Sequence, residues 1–108
     1  MSAAFVNFVG DPDIHDGTIE AIERSGDLAS VTITGGSGKR LHLQFSGVQE
    51  VWDHRSVGMR LYGLVETTSE QPWRRFLFAN WDEEDDARLE IKCRDFGHKE
   101  VASSAGSE

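Results

Sequence analysis

At 108 residues and 12.0 kDa the chain fits one domain built on one modest core. Hydrophobic residues at 38% and charged residues at 28% are ordinary globular proportions, which excludes wholesale disorder. Eleven Lys and Arg against nineteen Asp and Glu give a net charge of −8, so a phosphate backbone would be repelled and nucleic acid is not an expected partner.

The same charge would steer a basic protein toward the surface, although solubility alone is a sufficient reason for it. Cys93 is the only cysteine, so no intramolecular disulfide forms and a cytoplasmic location is expected. No apolar run approaches the roughly 20 residues of a membrane span, and the segment after Met1 lacks the basic and long apolar regions of an export signal. Neither membrane insertion nor standard export is expected.

Residues 3–9 form a short apolar segment containing Phe5 and Phe8, either one helical turn or a short strand, and Gly10, Asp11, Pro12 and Asp13 end it with turn chemistry. Residues 18–24 and 28–34 flank Ser25, Gly26 and Asp27 with the spacing of a hairpin, and Val31 and Ile33 alternate with Thr32 and Thr34. After Gly35, Gly36, Ser37 and Gly38, a third strand alternates Leu41, Leu43 and Phe45 with His42, Gln44 and Ser46. Val48 and Val51 lead to Trp52, where Asp53, His54, Arg55 and Ser56 break the pattern. Residues 59–66 resume it, 67–72 form a loop, 73–81 a strand and 82–86 an acidic loop; 88–96 is the last clear strand.

In that last strand Leu89, Ile91 and Cys93 should face inward, with Arg88, Glu90, Lys92 and Arg94 in water. Cys93 then reads as a small core hydrophobe. Short loops favour antiparallel neighbours, since parallel pairing needs long crossovers. The expected fold is all-β and mainly antiparallel: a six- to seven-stranded meander forming a curled sheet, half-barrel or small barrel, with the N-terminal segment packed on it. One domain should span residues 1–101, with a disordered tail at 102–108.

Two strands are apolar on both faces. Phe76 and Phe78 oppose Leu77, Ala79 and Trp81, while Leu61 and Val65 oppose Tyr62 and Leu64. Either the Phe5 and Phe8 segment or the curl of the sheet covers the second face, or that face is a patch for a partner, a ligand or a second subunit.

No catalytic, cofactor or metal pattern is complete. Gly38 and Lys39 look like the end of a phosphate loop, but Ile33 stands in place of its first glycine, Arg40 in place of its hydroxyl, and a strand follows where a helix is needed. Lys39 also stands where a nucleophile elbow needs glycine. Calcium-loop spacing from Asp11 meets Asp16 instead of glycine and Ile22 instead of glutamate; from Asp82 it meets Ala87 and Cys93. The acids Asp82, Glu83, Glu84, Asp85 and Asp86 therefore read as a solvated hairpin loop beside Arg74, Arg75, Arg88 and Arg94, with a weak divalent site among Asp82, Glu84 and Asp86 as the alternative. No two of His15, His42, His54 and His98 stand at a helical metal-ligand spacing. His15 beside Asp16 is the most distinctive polar pair: a base and its orienting carboxylate, or a turn in which Asp16 satisfies amides and His15 packs at the mouth of the first strand.

Three motifs, H-D-G-T-I-E-A-I-E-R from His15, F-S-G-V-Q-E-V from Phe45 and F-L-F-A-N-W-D from Phe76, carry a resemblance over residues 14–96. Together the chain resembles small uncharacterised bacterial domains opening with His-Asp-Gly or His-Asp-Ser, some of which accompany polymorphic toxin systems as immunity proteins. The resemblance implies a compact all-β fold, a cytoplasmic location and a protein partner, and brings no catalytic residues.

Three functions follow as expectations. The first is a non-enzymatic domain binding a basic protein, such as a toxin, through the acids 82–86 together with Tyr62, Leu77 and Trp81. The second is a small-molecule barrel with Trp52, Tyr62, Trp73 and Trp81 lining one pocket. The third is an enzyme using His15 and Asp16. Homodimerisation through the apolar second face is compatible with each.

Overall fold

The computed structural model describes residues 6–67, 71–82 and 84–100. Within them lie nine strands: β1 (Val6–Phe8), β2 (Thr18–Ser25), β3 (Leu28–Thr34), β4 (Arg40–Ser46), β5 (Glu50–His54), β6 (Leu61–Thr67), β7 (Arg74–Asn80), β8 (Arg88–Cys93) and β9 (Asp95–Glu100). A 3-10 turn, Pro12–Ile14, separates β1 from β2. The strands form two antiparallel sheets, ordered β1-β6-β7-β8-β5 and β2-β3-β4-β9. The all-β antiparallel expectation holds.

Alternation makes the core. Val31, Ile33, Leu41, Leu43 and Phe45 of one sheet and Phe76, Phe78, Leu89, Ile91 and Cys93 of the other are all buried. Phe45 joins the layers, its ring lying 5.3 Å from that of Phe76 and 6.0 Å from that of Phe78, both edge-on. Leu89, Ile91 and Cys93 face inward as their spacing predicts. Burial pushes the Cys93 thiol up to about 11, the behaviour of a core residue.

The sheets meet at two corners. At one, β4 runs on into β5 and β8 into β9, so a long antiparallel ribbon starts in one sheet and ends in the other. Gly47 and Arg94 mark its bend, where Arg94 N donates to Ser46 O at 3.1 Å and Gln49 N to Lys92 O at 2.8 Å. At the other corner β2 meets the start of β6 through the bridge between Thr18 and Arg60, with Leu61 N donating to Gly17 O and Ile19 N to Met59 O. A single bridge does not make a ladder, so the two layers stay a sandwich and do not close into a barrel.

Several expectations are corrected here. The strand count is nine, above six to seven, for two reasons. Residues 50–54 form β5, since their polar side chains sit at a sheet edge that tolerates them. The single strand expected over 88–96 is bent at Arg94 into β8 and β9. The N-terminal segment, instead of packing on the sheet, joins its plane as the edge strand β1 beside β6; Phe5 and the tail 102–108 lie outside the described residues.

In β6 a bulge between Leu61 and Gly63 inserts one extra residue, so Leu61 and Leu64 both point into the core. Tyr62 and Val65 are left to the other face, a grouping that plain alternation does not produce. Glu90 is the last correction. It lies on the outer face of β8 yet is only 9% exposed, because Arg75 and Arg88 pair with it.

The polar turns are equally specific. Asp11 caps the 3-10 turn by accepting from Asp13 N at 2.8 Å. The Asp13 carboxylate in turn accepts from Ser37 N at 3.0 Å and Ser37 Oγ at 2.8 Å, and a Cβ on Gly35 would collide with it. The glycine turn that superficially suggests a phosphate loop thus has its own anion in the Asp13 carboxylate. No helix among the described residues is long and apolar enough to cross a membrane.

Candidate functional site

The outer face of the five-stranded sheet carries the candidate site. Its cross-strand register places Trp52, Glu90, Leu77, Val65 and Phe8 in one row across all five strands. Phe8 is 64% exposed, Tyr62 48%, Trp81 44% and Trp52 40%, so four large aromatic side chains on one side of the molecule meet solvent. β1 does not cover this face; Phe8 adds to it, its ring lying against Gly63 so closely that a Cβ there would stand 2.9 Å away.

Three rings gather around Tyr62. Its centroid lies 6.0 Å from Phe8, 5.3 Å from His15 and 5.5 Å from Trp81, and His15 and Trp81 are 5.4 Å apart. Backbone pairing brings these distant residues together. Asp16 N donates to Leu61 O at 2.9 Å, Trp81 N to Arg60 O at 2.9 Å and Val9 N to Leu64 O at 3.0 Å, so three segments converge on β6. The bulge then aims Tyr62 between them. Arg60 completes the group, 5.3 Å above the Trp81 ring with Nη2 donating to Asp16 at 3.3 Å.

Next to this cluster runs a groove of about 370 Å³, lined by Phe8, Pro12, Ile14, His15, Tyr62 and Leu64 among others. His15 Nδ1 donates to Tyr62 O at 2.7 Å, which places a proton on that nitrogen. Nε2 is 3.9 Å from the Asp16 carboxylate, beyond hydrogen-bond reach. Asp16, held at a positive φ of 70°, serves Arg60, so a carboxylate-oriented base is not what the pair forms.

The expected site residues thus divide. Tyr62 and Trp81 are brought together with His15, Leu77 lies half-buried on the same face, and Asp16 sits at its rim through Arg60. The acidic loop follows Trp81 directly, and its described acids are largely tied down. Asp86 pairs with Arg55 and stands 3.3 Å from His54 Nε2, Asp85 lies 3.3 Å from Arg55, and Asp82 accepts from Glu84 N at 2.9 Å. The Asn80 amide, then the backbone of Ala87 and Arg55, hold the Asp85 carboxyl below its ordinary range. Among the described acids of this loop, the arginine partner is therefore Arg55, not Arg74, Arg75, Arg88 or Arg94, because β5 pairs with β8 and carries it there. Glu83 lies outside the described residues. Among them no group of three or more His, Cys, Asp or Glu is placed to hold a metal ion.

Nor do the four aromatics expected to share a pocket do so. Trp52 sits beside Arg75 at 5.4 Å, Trp73 beside Arg94 at 5.2 Å and Lys92 at 5.9 Å, and Tyr62 beside Trp81. The core itself is filled by Phe45, Phe76, Phe78 and Phe96.

Phe8 and Arg60 enter the site only through the structure. Their one local signal is an aromatic or basic residue beside a segment that is apolar on both faces. Comparison with family models, with curated proteins and with solved structures gives no match to the chain.

Proposed function

We propose that this chain is a binding domain that recognises a basic protein through the outer face of its five-stranded sheet, and that it performs no catalysis there. The observation that carries this reading is the cluster of Phe8, His15, Tyr62 and Trp81, exposed yet mutually packed. Rings that already support one another lose little conformational freedom on binding, which suits them to be anchors. The adjoining groove is of a size for a partner's apolar side chain. A net charge of −8 supplies the long-range attraction to a basic surface, with the acids around Asp82 contributing to the rate of encounter more than to the final contact. An immunity protein masking a basic toxin is the sharpest form of this reading, and it rests on the motif resemblance.

The test is titration of the purified chain with the product of its neighbouring gene, if that product is basic, by calorimetry. Tyr62→Ala with Trp81→Ala should weaken binding at least about 30-fold, as paired aromatic anchors cost roughly 2 kcal/mol or more when truncated. Neutralising Asp82 and Glu84 should mainly slow association and flatten its salt dependence. An affinity unchanged by the aromatic pair of substitutions refutes the proposed surface. So would a concentration-dependent dimer of the chain abolished by the same pair, which would assign the face to a second copy.

A further inference from the structure

A second constellation occupies the opposite end of the same face, on β5, β7 and β8. Glu90 uses both carboxylate oxygens: Oε2 lies 3.0 Å from Arg75 Nε and Oε1 accepts from Arg88 Nη2 at 2.9 Å. Arg75 Nε is buried and, despite that short distance, lacks an aligned hydrogen bond. The Arg75 guanidinium stands 5.4 Å from the Trp52 ring. Together with Val51, Asp53 and His54 these side chains line an open hollow of about 740 Å³.

Each part has a chemical consequence. A guanidinium offers five N–H donors, so Glu90 engages only a fraction of those on Arg75 and Arg88. A carboxylate that is only 9% exposed draws both guanidinium groups to one place before any ligand arrives, Arg88 by a hydrogen bond and Arg75 by charge, and pre-organised donors bind planar oxyanions bidentately. The exposed indole of Trp52 offers a flat apolar wall beside them. The other titratable groups at the rim are committed: Asp53 accepts from Ser56 N and Oγ, and His54 faces Asp86. Two arginines against Glu90 and Asp53 make the lining neutral overall, which suits a monoanion better than a dianion within a chain of charge −8.

We infer that this hollow is a binding site for a small aromatic monocarboxylate, its carboxylate held by Arg75 and Arg88 and its ring laid against Trp52. The site is separate from the Tyr62 cluster and does not depend on the protein-binding reading.

Benzoate is the probe. In proton–nitrogen correlation spectra of the full chain, benzoate should shift the Trp52 indole and the Arg75 and Arg88 Nε–H signals saturably, while benzyl alcohol should not. Phenyl phosphate and inorganic phosphate should bind more weakly than benzoate. Arg88→Gln, which leaves the Arg75 pair with Glu90 in place, should weaken benzoate about tenfold or more, the usual effect of losing a charged hydrogen bond. Arg88→Lys should also weaken it, because charge without the fork is not enough. Tyr62→Ala should leave the titration unchanged. Absence of a saturable shift, equal binding of inorganic phosphate, or an Arg88→Gln chain that titrates as the parent would each overturn the assignment.

Discussion

Gly47 and Arg94 face each other across the bend of the ribbon that joins the two sheets, so closely that a Cβ on Gly47 would lie 2.9 Å from Cβ of Arg94. Gly47 also holds a positive φ of 63°, a conformation that L side chains adopt only at a cost. Both constraints fall on one residue because the two strands of the ribbon must bend at the same place, and only a residue without a side chain lets Arg94 pass.

Gly47→Ala should therefore destabilise the chain by about 2–4 kcal/mol, combining roughly 1–2 kcal/mol of backbone strain with an overpacking term of similar size. Gly26→Ala is the control: φ there is 60°, but nothing lies within 4 Å, so only the backbone cost should register. Urea unfolding of the two variants checks the difference, and equal losses would mean that the Arg94 contact contributes nothing.

Glu66 and Arg74 form a two-pronged pair on β6 and β7, with Nε to Oε2 at 2.8 Å and Nη2 to Oε1 at 3.0 Å. Hydrogen bonds from Arg74 hold the Glu66 carboxyl below its ordinary value, against a smaller opposing effect of burial. A depressed carboxyl stabilises the fold above its unfolded-state value of about 4.3, and the contribution is lost as pH falls below that and through the folded value. With Arg74 39% and Glu66 25% exposed, water screens the pair, so Glu66→Gln should cost only about 0.5–1 kcal/mol at neutral pH. The parent and variant should converge in melting temperature on acidification. A difference that persists at low pH would show that the carboxylate charge is not its source.

Cys93 is fully buried on β8, its Sγ donating to Asp95 O at 3.4 Å, and burial raises its thiol to about 11. Since the thiolate is the reactive species, labelling by a thiol reagent near pH 8 should be slow in the native chain and should accelerate as urea unfolds it. The raised thiol also lowers stability as pH climbs above its unfolded-state value, where the unfolded chain releases the proton first. Rapid stoichiometric labelling without denaturant would place Cys93 outside the core.

What the chain's own alternation determines is the identity of most strands and most of the core. Val31 and Ile33, Leu41 and Phe45, and Leu89 to Cys93 are legible because the two-residue period of a strand is a local property of the backbone. The hairpin around Gly26 is legible for the same reason, and the candidate site is partly so: Tyr62, Leu77 and Trp81 stand out as apolar residues on the wrong side of otherwise ordinary strands. Tertiary structure decides what meets what. His15 reaches Tyr62 across 47 residues, Arg55 reaches the acids near Asp86, and Arg75 and Arg88 meet at Glu90. These contacts depend on which strands pair, on a bulge at Tyr62 that moves Leu64 into the core, and on a bend at Arg94 that splits one strand between two sheets. A bulge or bend shifts every later residue by one position or one layer, and the residues that compel it lie on other strands, so a local period cannot reveal it.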